Sequence, residues 1–302
     1  IDSIQRYVHK GRIHSEINQL RSDQGGTVSG RLSYSNPNLQ QIPARNKEFG
    51  NKIRSLFLPE EGRQWGSFDY SQQEPRLVAH YAASVDNTFE GAAEFIEAYK
   101  NESADFHQIV ADMAGITRTQ AKTINLGLFY GMGKAKLAKE LGITKDKAEN
   151  LLRQYGERVP FVKKLATDVS SSASKYGFIR TIRGRKCRFD MWEPSTFGMN
   201  KAMQYEEAKA IYGNNIRRAF TYKALNRLIQ GSAADQTKQA MIDCYKAGFK
   251  PLLQIHDELC FSLNNENDIP EVKEIMENAI ETLKVPSKVD VAIGKSWGEA
   301  KE

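Results

Sequence analysis

The sequence predicts an α+β fold in which strands from both ends of the chain share one antiparallel sheet and a mostly helical insertion separates them. Three observations carry this. The second of two strands read within KIRSLFLPEEGRQWGSFDYS ends at Asp69, and LLQIHDELCFSL at 252–263 reads as a hairpin whose two apolar runs flank His256-Asp257-Glu258. Residues 88–176 instead carry helical periodicity, punctuated by Gly115, Gly131, Gly133 and Gly142. No internal repeat or low-complexity tract points to a solenoid or a disordered chain.

The elements follow in order. The opening stretch, IDSIQRYVHKGRIHSEINQLRSDQ, is charged throughout and starts without Met, so the chain is expected to be part of a longer protein. Residues 22–51 are crowded with Gly, Ser, Asn and Pro and read as a long ordered loop with short extended pieces. A loop of that length is usually functional. KIRSLFLPEEGRQWGSFDYS reads as two strands around Pro59-Glu60-Glu61-Gly62, with Asp69 ending the second. Pro75 then occupies the first turn of a helix, where its missing N–H does no harm. Helices are expected over 89–100, 104–114, 118–130, 134–141 and 144–155, a basic hairpin over 178–189, and long helices over 200–247. The hairpin at 252–263, a helix near 270–283 and a strand over 288–293 complete the chain.

Composition narrows the class. Of 302 residues, 40% are hydrophobic and 26% charged, which suits a folded globular protein. Lys and Arg outnumber Asp and Glu 43 to 37, and a net charge of +6 suits a polyanionic partner. Cys187, Cys244 and Cys260 lack CxxC spacing, which argues against a zinc site or a disulfide framework and for a reducing compartment. No run approaches the ~18 apolar residues of a membrane span. The expected setting is the cytoplasm or nucleoid of a host cell, or an organelle, with no membrane partner.

Three constellations carry chemistry. Asp69 and Asp257 each end an apolar strand, and adjacent strands would set their carboxylates face to face. Two like charges ~4 Å apart repel by about 4 kcal/mol at an effective dielectric of ~20, and a divalent cation reverses that sign. Short oxygen ligands suit Mg²⁺, which shares its coordination with substrate phosphates, and two such ions can hold both oxygens of a phosphoryl transfer. Strand alternation puts Glu258 on the opposite face, in a supporting role. Equally, Asp257 reads as a solvated turn residue and Asp69 as a helix N-cap.

Arg118, Lys122, Leu126 and Tyr130 lie four apart, so each advances a helix by about 400° and they form one stripe, charged at its N-terminal end and apolar beyond. A triphosphate over the first half and a base over the second would fit it, as would a solvated basic face that runs into the core. His107 could join the same phosphate site or be structural. Finally, Arg31, Asn38, Gln40, Asn226 and Gln230 are side chains that can reach minor-groove acceptors, which are nearly the same for every base pair. A structural loop and a polar helix face explain them as well. RTIRGRKCR at 180–188 could follow a phosphate backbone or be a solvated charged ribbon.

Taken in order, these segments resemble the DNA polymerase I-like family A of DNA polymerases, from about residue 25 to the C-terminus. FDYSQQEPRLVAH is similar to the family's motif A, RTQAKTINLGLFYG to motif B, LQIHDEL to motif C, and GRLSYSNPNLQQIPARN to its template-primer loop. The closing VAIGKSWGEA also resembles the family's last strand, and the short spacing from His107 to Arg118 resembles bacteriophage members. The resemblance implies a right-hand fold: 1–29 as the end of a thumb, 30–90 and 206–302 as an antiparallel palm, and 91–205 as inserted helical fingers. It implies that Asp69, Asp257 and the Tyr70 carbonyl hold two Mg²⁺ ions, with Mn²⁺ as a substitute, and that Glu258 supports catalysis. The dNTP site would comprise His107, Arg118, Lys122, Leu126, Tyr130, Gln72 and Glu74, with Lys122 also a proton donor to pyrophosphate and Glu74 a block to a ribose 2′-OH. Arg31, Asn38, Gln40, Asn226, Gln230 and His256 would contact primer-template DNA. A processivity factor is an open partner.

Two departures bear on this. Leu126 stands where the family usually has Phe or Tyr, which affects sugar discrimination, and Gln73 and Pro75 replace the usual apolar pair around Glu74. The competing readings are a single-subunit RNA polymerase-like enzyme, against which Glu74 and the intact His256-Asp257-Glu258 argue, and a catalytically silent DNA-binding protein, against which both aspartates and Lys122 argue.

Overall fold

The computed structural model of the chain describes residues 2–22, 25–42, 47–84, 92–100, 105–129, 132–158, 160–196, 198 and 201–301. The principal elements begin with helix α1 (Lys47–Arg54), strand β1 (Gln64–Tyr70) and helix α2 (Gln73–Ser84). Helices α3 (Ala92–Lys100), α4 (Phe106–Ala114), α5 (Arg118–Phe129), α6 (Lys134–Leu141), α7 (Lys145–Arg158) and α8 (Pro160–Tyr176) follow. A hairpin of β2 (Phe178–Arg180) and β3 (Lys186–Arg188) leads to α9 (Tyr205–Tyr212) and the long α10 (Ala224–Lys246). The chain closes with β4 (Pro251–Ile255), β5 (Glu258–Leu263), α11 (Asp268–Glu277) and β6 (Val289–Gly294). Contacts divide it into two units, residues 1–73 with 233–302 and residues 74–232.

The first unit is built on a four-stranded sheet in the order β4-β5-β1-β6, every neighbouring pair antiparallel. β1, from early in the chain, thus lies between strands more than 180 residues later. One face carries Phe68, Tyr70, Leu259, Phe261 and Leu263 against Val272 and Met276 of α11 and Ala240 and Cys244 of α10. Phe68 and Phe261 meet edge to face at 5.6 Å, a favourable aromatic geometry. The other face carries Trp65 and Cys260 against Leu32, Tyr34, Leu39 and Trp297. Because side chains alternate along a strand, Asp69 falls on this second face with Trp65 and Ser67.

The first half of KIRSLFLPEEGRQWGSFDYS is not a strand. Helix α1 ends at Arg54, and residues 55–63 turn back to β1. Packing decides this: the Arg54 guanidinium lies 5.1 Å from the Trp297 ring centre, and the Trp297 backbone N–H donates to the Phe57 carbonyl at 3.0 Å. A Cβ on Gly298 would come within 2.6 Å of the Asn51 carbonyl oxygen, so the segment after β6 meets α1 where only glycine fits. Short strands absent from the sequence reading, Trp192–Pro194 before α9 and Ile216–Arg218 after it, pair with each other.

In the second unit α4 and α5 are joined through Gly115, whose φ of 64° lets it end α4 in the left-handed conformation. Ile179, Cys187 and Phe189 of the hairpin region pack with Ala173 of α8 and with Ala224 and Leu228 of α10. Among the described residues no helix is long and apolar enough to cross a membrane.

Candidate active site

Three adjacent strands place acidic residues in one row. Antiparallel register sets Glu258 of β5 and Asp290 of β6 directly across from Asp69 of β1. Residues opposite one another share a face, so Glu258 lies on the side of Asp69. The expectation that it points away is corrected: alternation along β5 separates Glu258 from its neighbour Asp257, but register, which alternation does not reveal, joins it to Asp69. Lys301 lies between them, its Nζ 3.2 Å from Glu258 Oε2 and 3.6 Å from Asp69 Oδ2. The Glu258 side chain is only 7% exposed, so its charge needs this partner.

His256 and Asp257 form the two-residue turn between β4 and β5. His256 takes a φ of 56°, a left-handed conformation that His adopts uncommonly. The turn is held from beneath by Gln254, whose amide donates to the His256 carbonyl and accepts from Gln40 Nε2 at 3.5 Å. It is joined to β1 by the Tyr70 N–H, which donates to the Asp257 carbonyl at 3.4 Å. The Tyr70 hydroxyl donates to the Met276 carbonyl at 2.7 Å, so its side chain serves the core. Asp69 is pushed up to about 7, by burial first, then by Asp257 and Glu258, with Lys301 opposing them. Asp257 is also raised, by burial, although Arg31 and His256 counter this. Two carboxylates that resist ionising side by side form a place where a cation is favourable.

At the start of α2, Gln72 has a φ of 53° and Gln73 is buried. The Gln73 amide nitrogen reaches the Ala233 carbonyl at 3.3 Å, Gln236 Oε1 at 3.2 Å and Thr237 Oγ1 at 3.1 Å. The departure from an apolar residue here is therefore matched by polar partners on α10. Glu74, in the second unit, is half-buried.

The second unit gathers the basic stripe. Thr117 and Gln120 form a capping box at the start of α5, with Gln120 N donating to Thr117 Oγ1 at 3.2 Å and Thr117 N to Gln120 Oε1 at 3.0 Å. This fixes Arg118 as the first residue of the helix. Arg118 pairs with Asp105 at 2.7 Å, and Asp105 caps α4 by accepting from the backbone of His107 and Gln108 at 2.9 and 3.2 Å. Burial raises the Asp105 carboxyl, but Arg118 and those two N–H groups outweigh it and hold it below the usual range. His107 is lowered to about 4, by burial and then by Lys122 and Arg118 against Asp105. His107, Arg118 and Lys122 thus form one cluster, and His107 is neutral within it. Tyr130 and the Leu126 side chain lie outside the described residues.

The residues expected at DNA divide between the units. A cleft in the first unit is lined by Arg31, Leu32, Thr237, Lys238, Gln254 and His256, bringing Arg31 and His256 together and adding Lys238. Asn38 accepts from Gln40 N at 3.1 Å as a cap, and Gln40 reaches the Leu32 carbonyl at 3.5 Å, so both have internal partners as well. In the second unit Asn226 Nδ2 is buried with no hydrogen-bond partner among the described residues, and Gln230 follows one turn later on α10. Sequence reasoning overlooked Asp290, Lys301 and Asp105. The acidic spacing of Asp290 was a usable signal, whereas nothing local marks Lys301.

The model of a family described as "DNA polymerase family A" matches residues 1–299. The chain belongs to DNA polymerase family A. A DNA-directed DNA polymerase of Pseudomonas phage M6 is 38% identical over 99% of this chain and 48% of its own length. The thermostable DNA polymerase I of Thermus filiformis is 33% identical over 100% of this chain and 34% of its own length. This family A chain therefore spans about half the length, or less, of those relatives. Among solved structures, the POL domain of Pol1 from M. smegmatis, in complex with DNA primer-template and dNTP, matches all of the chain and 51% of its own at 33% identity and a TM-score of 0.79. The α+β architecture is thus that of a family A polymerase domain.

The donor set of this family A chain fits a hard divalent cation. Asp69 and Asp257 offer carboxylate oxygens, and the Tyr70 carbonyl is a third hard donor nearby in sequence. Among the described residues no group of three or more His, Cys, Asp or Glu forms a candidate metal cage. Lys301 supplies positive charge beside Asp69.

Proposed function

We propose that this chain carries out template-directed DNA synthesis, joining a dNTP to a primer 3′-OH with release of pyrophosphate. The observation that carries this is Asp69 set directly across from Glu258 on paired strands, beside the turn that holds Asp257, with Asp69 raised to about 7 by its surroundings. The POL domain of Pol1 from M. smegmatis, solved in complex with DNA primer-template and dNTP, supports the choice of partners.

In this reading residues 30–90 and 206–302 are palm, 91–205 fingers, and 1–29 the end of a thumb. Asp69, Asp257 and the Tyr70 carbonyl hold two Mg²⁺ ions, for which Mn²⁺ can substitute. When bound, such ions favour deprotonation of an attacking hydroxyl and stabilise charge on a leaving phosphate. Glu258, neutralised by Lys301, keeps the carboxylate row at its register. Arg118 and Lys122 bind the triphosphate as cations and His107 as a neutral donor, and Lys122 protonates the departing pyrophosphate. Gln72, Leu126 and Tyr130 complete the nucleotide site, with Glu74 closing the space a 2′-OH would need. Arg31, Asn38, Gln40, Asn226, Gln230 and His256 line the primer-template duplex. A buried amide without a partner costs about 1–3 kcal/mol, and a minor-groove acceptor would satisfy Asn226 Nδ2.

Primer extension with dNTPs tests the reading. Asp69→Ala and Asp257→Ala should each abolish extension while leaving duplex binding within a few-fold of the parent. Extension by either variant at near-parental rates would overturn the assignment, and extension with NTPs in preference to dNTPs would favour an RNA polymerase instead.

A further inference from the structure

We infer that Tyr155 and Asn125 form a buried relay that fixes the tautomer of His107, holding Nδ1 as an acceptor and presenting Nε2–H as a neutral donor to a substrate phosphate oxygen. The inference rests on the nucleotide-binding reading of the His107 cluster and gives a role to Tyr155, outside the quoted motifs, and to Asn125, which lies within motif B.

The argument starts at the deepest residue. Tyr155 of α7 is fully buried, and its hydroxyl has one hydrogen-bond partner among the described residues, Asn125 Oδ1 of α5. A phenol at that depth keeps its proton: burial alone holds its pKa far above the usual value. Its O–H must therefore donate, and the one acceptor in reach among the described residues is a side-chain amide oxygen. This settles the orientation of the Asn125 amide, which is itself completely buried. With Oδ1 turned to Tyr155, Nδ2 faces His107, and it lies 3.2 Å from Nδ1 of the ring. An amide N–H only donates, so Nδ1 must accept, and the proton of a neutral imidazole then resides on Nε2.

Reversing the amide would leave the tyrosine proton without an acceptor in a buried site, at the cost of an unsatisfied polar group. His107 is neutral in its surroundings, since burial and then the nearby Lys122 and Arg118 outweigh Asp105. Arg118 and Lys122 already supply positive charge, so a third cation would repel them, whereas a neutral N–H adds direction without that repulsion. The relay spans three helices, α4, α5 and α7, so Tyr155 would position a nucleotide contact without touching the nucleotide.

Nitrogen-15 to proton multiple-bond spectra of the whole chain read the tautomer directly. The chain has five histidines, and His107→Gln assigns the signal. Near pH 7.5 the parent should show His107 as the Nε2–H tautomer, and the Nδ1–H form or a doubly protonated ring would overturn the relay. Tyr155→Phe removes only the hydroxyl and should shift or broaden the His107 ring nitrogens. It should also raise the KM for dNTP on primer-template about five-fold while kcat stays within about two-fold. Unchanged nitrogen shifts and KM would overturn the proposal. If Tyr155→Phe fails to fold, the parental spectrum decides alone. If His107→Gln leaves the dNTP KM unchanged while the parent shows Nε2–H, the relay stands and the nucleotide reading falls.

Discussion

Replacing Asp69 with Asn is the sharpest test of the carboxylate row, because it removes charge with little change of shape. The folded-state pKa of Asp69 is about 7 against an ordinary value of 3.8, a difference of roughly 3 units at ~1.36 kcal/mol each. Full shielding would make that about 4 kcal/mol. The side chain is 43% exposed, so solvent screening reduces it to about 1–2 kcal/mol. The sign follows from the direction of the shift. A folded pKa above the unfolded one gives stability that is fully present below the unfolded pKa and lost as pH rises through about 7. Above that pH, without a divalent ion, the parent carries the repulsion and Asp69→Asn does not. In chelator near pH 8 the variant should be more stable by about 1–2 kcal/mol, a rise of roughly 2–6 °C in Tm. Near pH 5 the gap should narrow, because the carboxyl is protonated in the folded parent but still largely ionised in the unfolded chain, and it should close below about pH 4. Adding Mg²⁺ near pH 8 should raise the parental Tm and leave the variant nearly unmoved. Scanning calorimetry across these conditions checks all three outcomes, and a variant no more stable than its parent in chelator at pH 8 would refute the electrostatic account.

Two further substitutions probe what the row depends on and how the sugar is read. Lys301→Met leaves Glu258 buried beside Asp69 without its cation and should cost about 2–3 kcal/mol in chelator, measured by urea denaturation; a loss below about 0.5 kcal/mol would mean that the pair is screened. Glu74→Ala should raise incorporation of NTPs relative to dNTPs by ten-fold or more in single-nucleotide extension, and an unchanged ratio would remove Glu74 as the 2′-OH block.

Much of the site was readable along the chain because its signals are local. Period-two alternation placed Asp69 and Asp257 at strand ends, and four-residue spacing placed Arg118 and Lys122 on one face of α5. The antiparallel sheet that joins both ends of the chain was expected and is present. The misreadings share one cause. KIRSLFLP has apolar residues that satisfy a strand pattern, yet α1 forms because Arg54 and Phe57 meet Trp297, some 240 residues away. Glu258 was assigned a face from its own strand, whereas β1 determines which charges it meets.

By itself, then, the sequence determined the family, the kinds of side chain available and the local elements that carry them, since composition, periodicity and capping act within a few residues. Tertiary structure decided which charges share a face, that Lys301 comes to stand between Asp69 and Glu258, and that a tyrosine on α7 governs a histidine on α4. Register and burial are relations between distant segments, and electrostatic energy depends on those distances and on the loss of water that packing imposes.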